Sequence, residues 1–190
     1  MTRAEALPLT PQTRSLQGQT ETINDSERTV RLSFASQEPY NRYYGPEILQ
    51  CTSDSIDLQR FSDGLGCLLY NHNRDEVIGH IESTEIIDGR AYATVKFDTD
   101  EQSDLIYQKV KAGTLQGVSV GYTVSNWEFV EDGEKSQYID GLTGPAYVAI
   151  KWEPLEISIV AVPADATVGI GRAVEDNDSA AFLVSELQEE

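Results

Sequence analysis

The chain predicts an α+β fold, mostly an antiparallel β-barrel with flanking helices packed outside it. Three observations carry this expectation. Several segments alternate apolar and polar residues, one segment repeats at helical spacing, and a tight-turn dipeptide joins two of the alternating runs. Many antiparallel strands beside one clear helix favour a closed or nearly closed sheet, because closure removes exposed edges.

In chain order, residues 1–27 are rich in Thr, Gln, Ser, Glu and Pro with scattered leucines, and read as a flexible tail with too little apolar surface to order itself. Thr29-Val30-Arg31-Leu32-Ser33-Phe34 alternates as a half-buried strand, and Leu65 to Tyr70 is a second. Val77 to Ile87 and Ala91 to Phe97 flank Asp88-Gly89, a pair that accepts the positive φ of a primed hairpin turn. Asp98 with Glu101 then resembles a helix N-cap and its return partner, Leu105, Ile106, Lys109 and Val110 recur at helical spacing, and Gly113 supplies the stop. A strand through Ser119 follows. Trp127 to Pro145, charged and containing Gly-Leu-Thr-Gly-Pro, reads as a loop or insertion, and Leu155 to Val162 as a last strand ending at Pro163. Residues 174–190 are acidic and read as a tail or the start of a further segment.

Composition narrows the function. With 14 basic and 32 acidic residues the formal charge is −18, a field that repels nucleic-acid phosphates and anionic membrane surfaces. No apolar run approaches the ~20 residues that span a bilayer, and the N-terminus lacks the apolar region of a signal peptide, so a cytoplasmic location is expected. The two cysteines, Cys51 and Cys67, give no disulfide framework, and with only His72 and His80 beside them no zinc set; no metal or cofactor is expected.

The chemistry centres on Gly117-Val118-Ser119-Val120-Gly121-Tyr122. A strand serine shares its face with the residues two before and two after it, and here both are glycine. Ser119 is therefore expected to stand on a bare stripe, its hydroxyl and the neighbouring N–H groups open to another polypeptide, while Val118, Val120 and Tyr122 anchor the other face. The same pattern also fits a bulge or a close approach of backbones. It is not the nucleophile elbow of α/β-hydrolases, because β-type residues continue past it.

A serine hydroxyl needs a base, and histidine suits that role near neutral pH. His72 lies where a strand breaks into the polar turn Asn71-His72-Asn73-Arg74-Asp75, the kind of strand end that carries function; His80 lies within a hairpin strand. Glu156 is the candidate to orient the imidazole. It interrupts an apolar strand and faces away from Leu155, Ile157 and Ile159, alongside Ser158. An edge-strand charge that discourages aggregation is an equal reading of Glu156, with Asp98 then next in line for the third role.

Four blocks, Leu68-Leu69-Tyr70-Asn71-His72-Asn73, Val77-Ile78-Gly79, Gly113 to Tyr122, and Leu155 to Ala164, resemble in order and spacing the tailed-phage (caudovirus) prohead serine protease family. The resemblance covers about residues 28–173 and marks them as a protease domain. It implies a fold related to herpesvirus maturation proteases and a serine endopeptidase acting inside the immature capsid in the host cytoplasm. Its substrates would be coat and scaffold proteins, and itself. His72 matches the family histidine, Ser119 the serine and Glu156 the acidic position. The amides of Val120 or Gly121 are the expected oxyanion donors. The herpesvirus relatives use a second histidine, but His80 falls in the wrong block for it. Two departures stand out: Asn73 where the family block often has Asp, and the long Trp127–Pro145 stretch. The oligomeric state stays open, a homodimer being one option. The competing expectation is an inactive structural or scaffold component of the procapsid with a protease-like barrel.

Overall fold

A computed structural model describes residues 12–17 and 22–162; for residues 12–17 and Thr22 it describes the backbone alone. The acidic 174–190 segment lies outside the described residues. In chain order the elements are β1 (Gln12–Gln17), β2 (Thr22–Asn24), β3 (Thr29–Ser36), β4 (Tyr40–Arg42), β5 (Gly45–Leu49), α1 (Gln59–Ser62), β6 (Cys67–Tyr70), β7 (Asn73–Ile87), β8 (Arg90–Phe97), α2 (Glu101–Lys111), β9 (Gly117–Val130) and β10 (Ala146–Val160).

The protein is mostly β-sheet with few helices, but the sheet does not close into the expected barrel. Its hydrogen-bonded order is β1-β9-β10-β6-β7-β8-β3-β2, with β5 and then β4 attached to the side of β10. Among the described residues both ends remain open. Bulges between Ser33 and Ala35, Ile81 and Ser83, and Pro154 and Glu156 bend the strands, and β3 comes back against β1 and β9. Core side chains rather than a backbone ladder bridge that approach: Val30, Leu32 and Phe34 of β3 join one cluster with Val118, Val120 and Tyr122 of β9.

Strand patterning follows from burial. Along β8 buried and half-buried residues alternate strictly, as a strand with one face in a core requires. The β7–β8 turn is the expected one, with Asp88 and Gly89 at φ 48° and 71°. Helix α2 is capped by Asp100, not by the expected Asp98: the Asp100 carboxylate accepts from the Gln102 and Ser103 N–H groups. Asp98 still belongs to the strand layer, its N–H donating to Ile78 and its carbonyl accepting from Arg28. Gly113, at φ 72°, follows the helix as expected.

Two further expectations are corrected. The loop expected from Trp127 is shorter, because Trp127 to Val130 continue β9 and pair with Ala149 to Ala146 at the start of β10. Within the expected N-terminal tail, Gln12–Gln17 pairs with Tyr122–Gly117 and Thr22–Asn24 with Arg31–Thr29. Backbone hydrogen bonding to an existing strand orders a polar segment that has little apolar surface of its own. Strand β10 is the hub of the fold. It is antiparallel to β9 on one side and parallel to β5 and β6 on the other.

Candidate active site

Three elements converge on Ser119. The segment Gly117–Tyr122 places Val118, Val120 and Tyr122 in the core at 0% exposure, which fixes the Ser119 side chain on the opposite face. Ser119 pairs with Ser158 and Gly121 with Glu156 across the β9–β10 ladder, so Glu156 and Ser158 share that face. The third element is the tight turn joining β6 to β7. Asn71 and His72 occupy it at φ 52° and 59°, left-handed values that are uncommon outside glycine but that Asn and His adopt more readily than most residues.

That turn is pinned at several points. The Asn71 N–H donates to the Ile159 carbonyl at 2.9 Å, and the Ala161 N–H donates to the Asn71 side-chain oxygen at 2.9 Å. The His72 N–H donates to Ser158 Oγ at 3.1 Å. Held there, the His72 ring lies between the other two residues, with Nε2 2.7 Å from Ser119 Oγ and Nδ1 2.7 Å from Glu156 Oε1. A carboxylate only accepts, so Nδ1 carries the hydrogen and Nε2 presents its lone pair to the serine hydroxyl. Ser158 Oγ donates to the second carboxylate oxygen, Oε2, at 2.6 Å.

The structure thus brings His72, Ser119 and Glu156 into one hydrogen-bonded line. His80 is exposed on β7, paired with Cys67 and Lys96. Two contributions escaped the sequence reading. Ser158, fully buried, ties the histidine backbone to the carboxylate. Its signal was its place two residues from Glu156 on the same strand face. Gly121 makes room for the acid: a Cβ there would collide with Glu156 Oε1 and lie 3.2 Å from Cδ.

One expectation is overturned. Ser119 is not an open hydroxyl but 1% exposed. Its strand is paired on both sides, with β1 on the edge expected to be free and β10 on the other. Val120 and Gly121, the expected oxyanion donors, lie in this doubly paired stretch.

Farther along β9, a cavity of about 510 Å³ is lined by residues including Asp54, Asp57, Thr123, Ser125, Lys151 and Glu153. Thr123 is two residues beyond Gly121, on the Ser119 face. Beneath that face, Tyr122 and Tyr44 donate to the buried carboxylate of Glu47, and Arg42 lies 3.3 Å from it. Burial, and then the adjacent Glu47, hold both phenols protonated far above the ordinary tyrosine range. The cluster fastens the β4–β5 hairpin to β9. Among the described residues no group of three or more His, Cys, Asp or Glu is placed to hold a metal ion, and no helix is long and apolar enough to cross a membrane.

A mainly antiparallel sheet with serine, histidine and carboxylate in one hydrogen-bonded line has the geometry of a serine hydrolase site. Sequence comparison is more specific. The chain belongs to the caudovirus prohead serine protease family, whose profile matches residues 39–179. It is 32% identical over 152 residues to the major capsid protein of Halomonas phage phiHAP-1, covering 78% of this chain and 24% of that protein. It is 26% identical over 128 residues to the capsid polyprotein of Pseudomonas phage PAJU2, covering 63% and 18% respectively. The chain therefore spans about a quarter or less of the length of these curated relatives. No solved structure matches it significantly.

Proposed function

We propose that this chain is a serine endopeptidase of phage capsid maturation, acting within the procapsid on coat and scaffold proteins and on itself. The observation that carries this reading is the continuous line Glu156–His72–Ser119, with both contacts at 2.7 Å. His72 Nε2 takes the Ser119 proton as Oγ attacks the scissile carbonyl. The imidazolium, stabilised by Glu156, then returns the proton to the departing amine. Water, activated by the same histidine, releases the acyl group. The amide of Val120 or Gly121 holds the developing oxyanion.

The capsid names of the relatives favour coat protein as the substrate. They equally favour a second reading, a structural part of the procapsid without turnover. Co-expression of the chain with the neighbouring coat and scaffold genes, read by electrophoresis, separates the two. Cleavage is expected for the natural chain and for His80→Ala, and its loss for Ser119→Ala and His72→Ala. Undiminished cleavage by Ser119→Ala would end the protease reading. Absence of cleavage by the natural chain would favour the structural one.

A further inference from the structure

We propose that β1 is a resident strand occupying the edge of β9 where a substrate peptide pairs, and that the site opens when β1 peels away. The inference rests on the protease reading and adds how the peptide enters. Six consecutive residues of β1 pair with the nucleophile segment, from Gln12 opposite Tyr122 to Gln17 opposite Gly117, and Ser15 lies directly opposite Ser119. Cα atoms opposed across an antiparallel ladder are about 4.5–5.5 Å apart. The Arg14–Leu16 backbone therefore fills the place from which an extended peptide would reach the serine.

Three observations support exchange at this edge. First, β1 ends the hydrogen-bonded path, so its departure leaves β9 with a free row of N–H and C=O groups, a template for an added strand. Second, attack requires a carbonyl to come within about 3–3.5 Å of Oγ, yet Ser119 is 1% exposed with β1 in place. Third, the N–H groups of Val120 and Gly121 point to opposite edges of β9, because successive backbone amides alternate sides. One of them faces β1 and can serve an oxyanion only when that edge is vacated. The segment Gln12-Thr13-Arg14-Ser15-Leu16-Gln17 contains a single large apolar residue. The backbone ladder that pairs it with β9 is one that an incoming peptide can replace bond for bond.

The test uses the full chain and diisopropyl fluorophosphate, which phosphorylates an activated serine: an Oγ–P bond forms, the P–F bond breaks, and the hydroxyl proton leaves with fluoride. The double substitution Arg14→Pro and Ser15→Pro removes at least one ladder N–H whichever of the two faces β9, and proline is tolerated on edge strands. Mass spectrometry is expected to show Ser119 labelled at least about tenfold faster in this variant than in the natural chain, as a larger open fraction requires. A synthetic peptide of residues 10–19 should slow that labelling again, and Ser119→Ala should take no label. Equal rates in the natural and double-proline chains, with the label on Ser119, would overturn the resident strand and leave the serine chemistry intact. No label in either chain would remove the protease reading and this inference with it. If circular dichroism shows the double variant unfolded, amide exchange of the natural chain decides. Exchange of the β1 amides well ahead of those shared by β9 and β10 supports the proposal, and equal protection refutes it.

Discussion

Replacing Gly121 by alanine adds one methyl group on the buried Ser119 face of β9 and changes no charge, yet it tests the whole site. The new Cβ would collide with Glu156 Oε1 and sit 3.2 Å from Cδ and 3.3 Å from Cγ. Carbon atoms at rest lie about 3.5–4.0 Å from their neighbours, so the carboxylate must retreat by roughly 1 Å. A contact of 2.7 Å to His72 Nδ1 cannot survive that retreat as a hydrogen bond. Misplacement of a reacting group by this distance costs on the order of 10²-fold, and complete loss of an orienting acid ~10⁴-fold. Turnover of Gly121→Ala is therefore expected to fall by about 10²–10⁴-fold. Stability should change little, because alanine in a strand interior is about 0.5–1 kcal/mol better than glycine and offsets much of the crowding. The assay is kcat/KM on a peptide substrate beside a thermal melt. Near-natural turnover would refute the argument that Glu156 acts through its contact with His72. So would a loss of activity that merely tracks a fall of many degrees in Tm. Combined with Glu156→Gln, the substitution should do no more harm than the worse single change, since both act on one carboxylate.

Three other outcomes are expected. Ser158→Ala leaves the His72 N–H without its acceptor and frees Glu156 Oε2, so turnover should fall about 10-fold or more with a loss of about 1–3 kcal/mol in stability, read by kinetics and denaturant melts. Glu47→Ala leaves the Arg42 charge and two phenols without the carboxylate that joins them, and should cost about 3–5 kcal/mol by urea unfolding while the Ser119 contacts persist. Asp100 is held below the ordinary carboxylate range first by the Ser103 hydroxyl and then by the Ser103 N–H. Its contribution is thus full above the unfolded-state value of about 3.9 and disappears as pH falls through the lower folded value. The Tm gap between the natural chain and Asp100→Ala should accordingly be widest near neutrality and close below about pH 3.9. A gap that is constant with pH would argue against the cap.

Much of the β architecture was legible because period-two patterning is enforced wherever one face of a strand is buried. β3, β8 and the Ser119 stretch of β9 could be read this way, and α2 could be read from its helical repeat. What escaped had a competing signal. β5 begins with Gly45-Pro46, which reads as a turn, and β4 is three polar or aromatic residues whose pairing with β5 is settled by contacts around Glu47. The start of β10 and the end of β9 sit beside charged loop residues and become strands by pairing with one another. β1 carries no pattern at all; an edge waiting on β9 decides its conformation.

The sequence by itself determined the chemical inventory and its faces: a serine between two glycines, a histidine at a strand break, and a glutamate two residues before a serine on an apolar strand. Alternation along a strand settles such questions locally. Distance does not follow from it. His72 meets Glu156 across 84 residues and Ser119 across 47 only because β10 joins β9 on one side and β6 on the other, carrying the Asn71-His72 turn over the ladder. Whether the sheet closes, and which strand lies beside Ser119, were likewise decided in three dimensions. Both depend on ladder hydrogen bonds between segments distant in the chain, and any backbone can make those bonds whatever its side chains.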